Sequence, residues 1–209
     1  MSSSAGSILI ISAPSGAGKT SLVRALMQAR NHIQLSVSFT TRPPRDGERD
    51  GEDYVFVSVD DFKARRDAGE FLEWAEVHGN FYSTSRRWID ERIEAGADIV
   101  LEIDWQGAQQ VLPLYPDAVS IFIAPPSIEV LKQRLEDRGK DSAATIERRL
   151  AAARSELEHA DRFQYIIINQ DFNTASQQLI GIADAARCRF GKQAARDPEL
   201  FHAVGMISA

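Results

Sequence analysis

The sequence predicts an α/β fold whose core is a doubly wound, mostly parallel β-sheet. Short apolar runs of strand length alternate with longer segments of helical periodicity, which is the pattern typical of such a sheet. The first apolar run also leads through a glycine-rich loop into an amphipathic helix, a second sign of a strand that packs against the helix after it. We expect the core strands at residues 7–12, 98–103, 119–123 and 165–168.

The longest insertion into this core is predicted between the first two of these strands. It carries shorter strands at residues 36–40, 54–57 and 71–77. A helix near residues 60–68 should end at Gly69, because glycine tolerates the left-handed backbone that terminates many helices. This insertion should therefore form a small mixed lobe of its own.

A second insertion is predicted to be helical. Ser127 is a good N-cap for an arginine-rich helix that ends at Gly139, and another helix should span residues 143–160. A last helix over residues 173–190 closes the domain. The predicted division is therefore a flexible N-terminal tail (1–6), a domain over 7–190 with core segments 7–35, 98–126 and 161–190, a lobe (36–97), a helical segment (127–160) and a C-terminal tail (191–209).

Composition excludes several classes of protein. The 209 residues carry a net charge of −6, which argues against a chain that coats nucleic acid or an anionic membrane, since those partners favour a strongly basic surface. No apolar stretch approaches the roughly 20 residues needed to span a bilayer. The single Cys188 cannot form an internal disulfide, and the N-terminus lacks the features of a signal peptide. We expect a cytoplasmic protein without nucleic-acid or membrane partners.

The glycine-rich loop after the first strand is a Walker A sequence, which predicts a P-loop NTPase-type core. Backbone N–H groups of such a loop converge on phosphate oxygens at a helix N-terminus. Lys19 should face the β- and γ-phosphates of ATP, and the Thr20 hydroxyl should face Mg²⁺. Ala13 stands where the motif usually begins with glycine. The predicted ATP-binding loop is Ala13, Pro14, Ser15, Gly16, Ala17, Gly18, Lys19 and Thr20.

The first insertion contains a candidate site for a phosphorylated acceptor. Arg42 and Arg45 flank two prolines, so the turn can present both guanidinium groups to a phosphate. Tyr54 and Tyr82 bring phenol groups from the same insertion. The arginines therefore predict a local anion site on an acidic protein.

Several motifs of this insertion, taken with the loop, resemble those of the guanylate kinases. In this chain they read SFTTRPPR, GEDYVF, EFLEWA, GNFY and IDWQG, and the resemblance runs from about residue 8 to residue 187. It implies that Ser38, Arg42, Arg45, Tyr54 and Tyr82 hold the phosphate of GMP. It also implies that Glu73, Thr84 and Asp104 hold the guanine, so residues 36–97 would be a GMP-binding lobe.

The chemistry of guanine agrees with the carboxylate at Glu73. Guanine presents N1–H and N2–H₂ as donors on one edge, and a carboxylate accepts from both. Strand alternation sends Glu73 and Trp74 to opposite faces, so Glu73 can line a cleft while Trp74 packs. Asp104 follows a buried strand, where a Mg²⁺-binding carboxylate is also common. The sequence leaves both roles open for Asp104, and the resemblance favours guanine. In that case Glu102 or water would serve Mg²⁺.

Two residues depart from the pattern of the resembling family. Ser83 stands where glycine is common, and Trp105 where a smaller apolar residue is common. Both lie beside expected guanine contacts. Trp105 is also a natural core residue, as tryptophan in an apolar context usually is.

The second insertion supplies further arginines. Arg134 and Arg138 are four residues apart and share a helix face. The resemblance implies a lid that closes over ATP, in which Arg134, Arg138 and Arg149 meet the phosphates and Asn169 contacts the adenine side. Lys19, Arg42, Arg138 and Arg149, with Mg²⁺, would then share the charge of the transition state.

The activity implied by the resemblance is ATP + GMP (or dGMP) to ADP + GDP (or dGDP), in purine nucleotide metabolism. One alternative is a P-loop kinase for another phosphorylated acceptor, such as a ribose bisphosphate. Another is a catalytically silent interaction module, although such modules typically lose the loop lysine that is present here as Lys19. The sequence leaves monomer and homo-oligomer open.

Overall fold

The computed structural model describes residues 5–77, 79–137, 139 and 142–207. The strands are β1 (Ile8–Ser12), β2 (Ile33–Leu35), β3 (Phe39–Thr40), β4 (Val55–Phe56), β5 (Phe71–Val77), β6 (Asn80–Ser85), β7 (Asp98–Glu102), β8 (Val119–Ala124) and β9 (Tyr165–Ile168). The helices are α1 (Lys19–Ala29), α2 (Val59–Asp67), α3 (Arg86–Glu94), α4 (Trp105–Val111), α5 (Ile128–Asp137), α6 (Ala143–Leu157), α7 (Phe172–Arg187), α8 (Phe190–Arg196) and α9 (Pro198–Ala203). No helix in these ranges is long and apolar enough to cross a membrane.

The main sheet has five parallel strands in the order β2-β7-β1-β8-β9. Every residue of the central strand β1 is buried, as its apolar run from Ile8 to Ile11 predicts for a strand covered on both faces. One apolar cluster packs α1 and α7 on one face, and a second packs α3 and α4 on the other. The predicted fold class, a doubly wound parallel core with an inserted mixed lobe, is confirmed.

The inserted lobe is a four-stranded mixed sheet in the order β4-β3-β6-β5. Strands β5 and β6 form an antiparallel hairpin with a bulge between Phe71 and Glu73. Phe62 of α2 is fully buried and packs its ring on Phe71 and Phe81, with ring centres 4.8 and 5.3 Å apart, respectively. Gly69 follows the C-terminal cap of α2 and has φ 73°, so it ends the helix as predicted.

Helices α5 and α6 have a small core of their own. Leu131 and Leu135 of α5 pack against Ile146, Leu150 and Ala153 of α6, apart from the two clusters of the main sheet. The last turns of α6 attach instead to the main sheet, because Leu157 packs on the second cluster. The pair is therefore anchored at one end.

Beyond residue 190 the chain forms two short helices where the sequence showed no clear pattern. Arg196 of α8 donates to buried Asp98 at 2.7 Å, and Arg187 of α7 bonds the same carboxylate. Asp98 also accepts from the backbone N–H of Ser7 at 2.8 Å. These contacts tie α7 and α8 to the amino ends of β1 and β7, at the edge of the sheet away from the loop.

Candidate active site

The loop after β1 has the backbone of a phosphate cradle. Gly16 and Gly18 have φ of 96° and 99°, which favour glycine. A Cβ on Gly18 would also lie 2.3 Å from Nδ2 of Asn169. The Asn169 amide donates to the carbonyl oxygen of Ala17 at 2.7 Å, and this hydrogen bond stabilises the loop. Helix α1 begins at Lys19, so its first N–H groups point into the loop.

One cavity of about 580 Å³ joins this loop to the inserted lobe. Its size suits a small-molecule site. The predicted residues that line it are Ala13, Pro14, Ser15, Gly16, Gly18, Lys19, Thr20, Ser38, Arg42, Arg45, Tyr54, Glu73, Tyr82, Asp104 and Arg149. Residues far apart in sequence therefore meet around a single space.

Four predicted site residues lie outside the wall of that cavity, and one lies outside the described residues. Ala17 belongs to the loop but not to the described wall, and Asn169 bonds its carbonyl oxygen as described above. Arg134 donates from Nη2 to the backbone carbonyl oxygen of Asn169 at 2.8 Å. Thr84 is buried behind Glu73. The predicted position Arg138 is not among the residues that the structure describes.

The lobe side of the cavity carries Arg42 and Arg45, which we call the arginine fork. Arg42 places its guanidinium carbon 5.2 Å from the centre of the Tyr54 ring, and Tyr54 and Tyr82 meet with ring centres 6.0 Å apart. Burial would lower the pKa of Arg42, but hydrogen bonds with Glu48 and Tyr82 outweigh it and raise that pKa. The guanidinium therefore stays a cation, held in place by aromatic and acidic neighbours.

Glu73 is the most buried acid of the cavity, with 4% of its surface exposed. Its Oε1 accepts a hydrogen bond from Thr84 Oγ1 at 2.7 Å, across the β5–β6 hairpin. Burial, with the charge of Asp104 as a smaller cause, raises the pKa of Glu73 to about 7. Trp74 lies on the opposite face with 38% exposed, so the predicted alternation is seen.

Asp104 and Glu102 differ in how their oxygens are engaged. Asp104 Oδ1 caps α4 by accepting from the Gly107 N–H at 2.9 Å, and Oδ2 accepts from Gln106 at 3.0 Å. Glu102 lies in register with Ile11, beside the start of the loop. Its Oε1 is buried with no hydrogen-bond partner among the described residues.

This oxygen donor set fits Mg²⁺. The ion prefers carboxylate and hydroxyl oxygens and is usually held by one or two carboxylates together with substrate phosphates. The orphaned Glu102 oxygen and the Thr20 hydroxyl line the same cavity as the loop. The described residues contain no cluster of three or more metal-binding side chains, so these residues alone do not form a closed metal cage.

Glu156 of α6 is a cavity residue that the sequence did not predict. It lines the wall in company with Arg149, two helical turns earlier on the same face. Burial raises its pKa to about 7, helped by the charge of Asp104 and opposed by that of Lys19. A spacing of seven residues from a predicted arginine could have indicated this position.

The two departures from the family pattern have different consequences. Trp105 is half-buried, lines the cavity, and stacks on His159 with ring centres 3.7 Å apart. It also packs on the second core cluster, so the expected core role is seen in part. Ser83 is fully buried on the strand face opposite Thr84 and does not belong to the described cavity wall.

The parallel sheet, the phosphate-binding loop at its carboxyl edge and the arginine-lined lobe that faces it define a P-loop kinase. A sequence model of the family described as guanylate kinase matches residues 5–186. The chain therefore belongs to the guanylate kinase family, and the resemblance seen in the motifs is confirmed.

Individual relatives match over nearly their whole length. The guanylate kinase of Cupriavidus metallidurans is 54% identical over 201 residues, which cover 96% of this chain and 93% of that protein. The guanylate kinase of Bordetella pertussis is 52% identical over 209 residues, with 100% and 97% covered. The crystal structure of guanylate kinase from Anaplasma phagocytophilum is 33% identical and has a TM-score of 0.78, with 98% of each chain covered.

Proposed function

We propose that this protein transfers the γ-phosphoryl group of ATP to GMP, and to dGMP, to give ADP and the nucleoside diphosphate. One observation carries the proposal: the Lys19 cradle, the arginine fork of Arg42 and Arg45, and the buried carboxylate of Glu73 all line one cavity. A donor phosphate and an acceptor nucleotide can therefore share it. Cytoplasmic action on free nucleotides is part of this proposal.

The cradle residues bind and align the donor. Backbone N–H groups of Ser15, Gly16 and Gly18 and the Lys19 ammonium surround the β- and γ-phosphates. Mg²⁺, when bound with ATP, supplies positive charge that neutralises the phosphate oxygens. Thr20 and Glu102 would hold it, because both offer oxygen atoms at this edge of the sheet. Alignment and charge neutralisation are the main needs of phosphoryl transfer.

The acceptor phosphate needs orientation rather than activation. Its second pKa is near 6, so it is largely dianionic at neutral pH and requires no general base. Arg42 and Arg45 hold it, with the phenols of Tyr54 and Tyr82 nearby. Arg149 of α6 approaches from the helical side and shares the charge of the transferred group. The family resemblance implies the same charge-sharing role for Arg138. Closure of residues 127–160 as a lid would exclude water.

Guanine is read by carboxylates. Glu73 in its ionised form accepts from guanine N1–H and N2–H₂, and Asp104 accepts from the 2-amino group. Thr84 acts through Glu73, because its hydroxyl bonds Oε1 at 2.7 Å. Because the pKa of Glu73 is raised, its carboxyl is partly protonated near neutral pH, and GMP binding should release that proton.

A coupled assay of ADP release across GMP, dGMP, AMP, CMP and UMP, with MgATP, tests this proposal. GMP and dGMP should support turnover, and AMP should be poorer by several orders of magnitude, because a site built on polar complementarity can discriminate by about 10⁴. Turnover with a sugar phosphate but with none of the nucleotides would favour another P-loop kinase. No turnover with any acceptor, in protein that still binds GMP, would favour a silent module.

A further inference from the structure

Glu48 bonds both arginines of the fork and is not among the motif residues that the resemblance assigns to GMP. Both of its carboxylate oxygens bond Nη2 of Arg42, at 2.9 and 3.0 Å. The side chains of Arg42 and Glu48 are only 10% and 19% exposed. This is therefore a largely desolvated ion pair, which is stronger than a pair on an open surface.

The same carboxylate fixes the backbone of the second arginine. Oε2 of Glu48 accepts from the backbone N–H of Arg45 at 2.8 Å, and the N–H of Glu48 donates to the carbonyl oxygen of Arg45 at 3.0 Å. Gly47 between them has φ 86°, as the third residue of a type II turn requires. Three hydrogen bonds to one carboxylate thus join the Arg42 side chain to the Arg45 turn.

Glu48 does not lie where the cavity-lining residues lie. Arg42, Arg45 and Tyr54 line the cavity, and Glu48 is not part of its described wall. Nη1 of Arg42 donates to the carbonyl oxygen of Pro43 at 2.7 Å. The two bonds to Glu48, the one to Pro43 and the one to Tyr82 use at most four of the five N–H groups of a guanidinium, so at least one remains for a phosphate. Glu48 therefore supports the fork from outside the described cavity wall.

We propose that Glu48 is a positioning residue for the acceptor phosphate, because its carboxylate locks the Arg42 guanidinium and the Arg45 turn in the orientation that faces the cavity. The proposal rests on the proposed GMP site. A fork ordered in advance loses little freedom on binding, which favours affinity. Glu48 should therefore act on the acceptor and leave the donor site unchanged.

The test measures KM for GMP, KM for ATP and kcat in Glu48→Gln, with Glu52→Gln as the matched control. Glu52 lies four residues on and pairs with Arg49 on the exposed surface. Glu48→Gln should raise KM for GMP by about tenfold, the effect of one lost charge-assisted bond. KM for ATP should stay within about twofold, and Glu52→Gln should match wild type. An unchanged KM for GMP, a decrease in it, or equal effects on both substrates would overturn the proposal.

A second variant and a double mutant separate a positioning role from a general loss of structure. Glu48→Asp keeps the charge but is one methylene shorter, so it cannot reach both partners, and KM for GMP should rise several-fold. In an Arg42→Ala background, Glu48→Gln should change KM for GMP far less than it does in wild type, because coupled residues are not additive. Additive effects, or a wild-type KM in Glu48→Asp, would refute the positioning role.

The Arg42→Ala variant keeps this proposal distinct from the assignment of the acceptor site. It should raise KM for GMP by roughly 10- to 100-fold and KM for ATP far less. Equal effects of Arg42→Ala on the KM values of both substrates would refute the assignment of the acceptor site itself. A selective effect of Arg42→Ala, with none from Glu48→Gln, would leave the acceptor site standing and sink only the role of Glu48.

Discussion

Gly107 packs directly against the carboxylate of Glu73: a Cβ at position 107 would lie 2.5 Å from Oε2 of Glu73 and 3.2 Å from its Cδ. Gly107 is helical and its backbone is unstrained, so space, and not backbone conformation, demands glycine here. The helix α4 that Asp104 caps therefore forms one wall of the pocket around Glu73.

Gly107→Ala should displace Glu73 and weaken GMP binding. Alanine is better than glycine in a helix interior by about 1 kcal/mol, but the contact at 2.5 Å forces the carboxylate or the helix to move. We expect KM for GMP to rise at least about tenfold, the effect of one lost charge-assisted bond. KM for ATP should change little. Steady-state kinetics with each substrate varied check this.

Gly181→Ala is the control for that substitution. Gly181 is also helical, but a Cβ there would meet nothing within 4 Å. Its kinetics should equal those of wild type, and its melting temperature should be equal or slightly higher. Wild-type KM values for GMP in Gly107→Ala would show that Glu73 does not need its present position.

The raised pKa of Glu73 predicts how stability depends on pH. Because the folded pKa is about 7 and the ordinary value is 4.5, the folded protein holds a proton that the unfolded chain releases. The contribution of Glu73 to the free energy of unfolding is therefore fully present below about pH 4.5 and is lost as the pH rises through 7. The integrated effect is about 3 kcal/mol for a shift of this size.

Glu73→Gln removes this titration, so its free energy of unfolding should fall less between pH 5 and pH 8 than that of wild type. Urea unfolding without nucleotide, at several pH values, measures the difference. Glu156 titrates in the same window and should leave part of the slope in the variant. Glu91→Gln, an exposed substitution on α3, should keep the wild-type slope. The same slope in Glu73→Gln would contradict a raised pKa.

Lys19→Ala tests the phosphate cradle. Lys19 opens α1 and lines the cavity beside Thr20 and the loop. Without the ammonium group, turnover should fall by more than about 100-fold, since a charge-assisted contact is worth up to about 3 kcal/mol in binding and more in a water-excluded transition state. Circular dichroism should show an intact fold. Activity above a tenth of wild type would exclude this role for Lys19.

The fold was predictable where a strand is buried on both faces. The mainly apolar strands β1 and β8 lie at the expected places, because both faces of a central parallel strand meet helices. Strand β6 escaped prediction, since its sequence NFYSTS is mostly polar and its strand character comes from pairing with β5. The short helices α3 and α4 were not predicted either; each begins at a side-chain cap, Ser85 for α3 and Asp104 for α4.

The site shows the same division. Lys19 lies in a loop whose spacing indicates a phosphate site, and Arg42 lies on a proline-stiffened turn that favours an anion. Glu73 is assigned to the base through the resemblance of its motif to the guanylate kinases. Glu48 and Glu156 were not predicted, because a lone carboxylate on a turn or helix resembles solvated surface charge in sequence. Their roles depend on what packs beside them: the Arg42 guanidinium for Glu48, and the cavity with Lys19 and Asp104 for Glu156.

The central claim is that Glu73 reads the guanine edge in the cavity that also holds the phosphate cradle. The ratio of kcat/KM for GMP to that for AMP, measured with saturating MgATP in wild type and in Glu73→Gln, tests it most directly. Glutamine replaces one acceptor oxygen with a donor, which opposes guanine N1–H and suits the acceptor N1 of adenine. The ratio should fall by about 10²–10³ without inverting, because Asp104 still selects the 2-amino group. An unchanged ratio would contradict the account, because the base would then be read elsewhere.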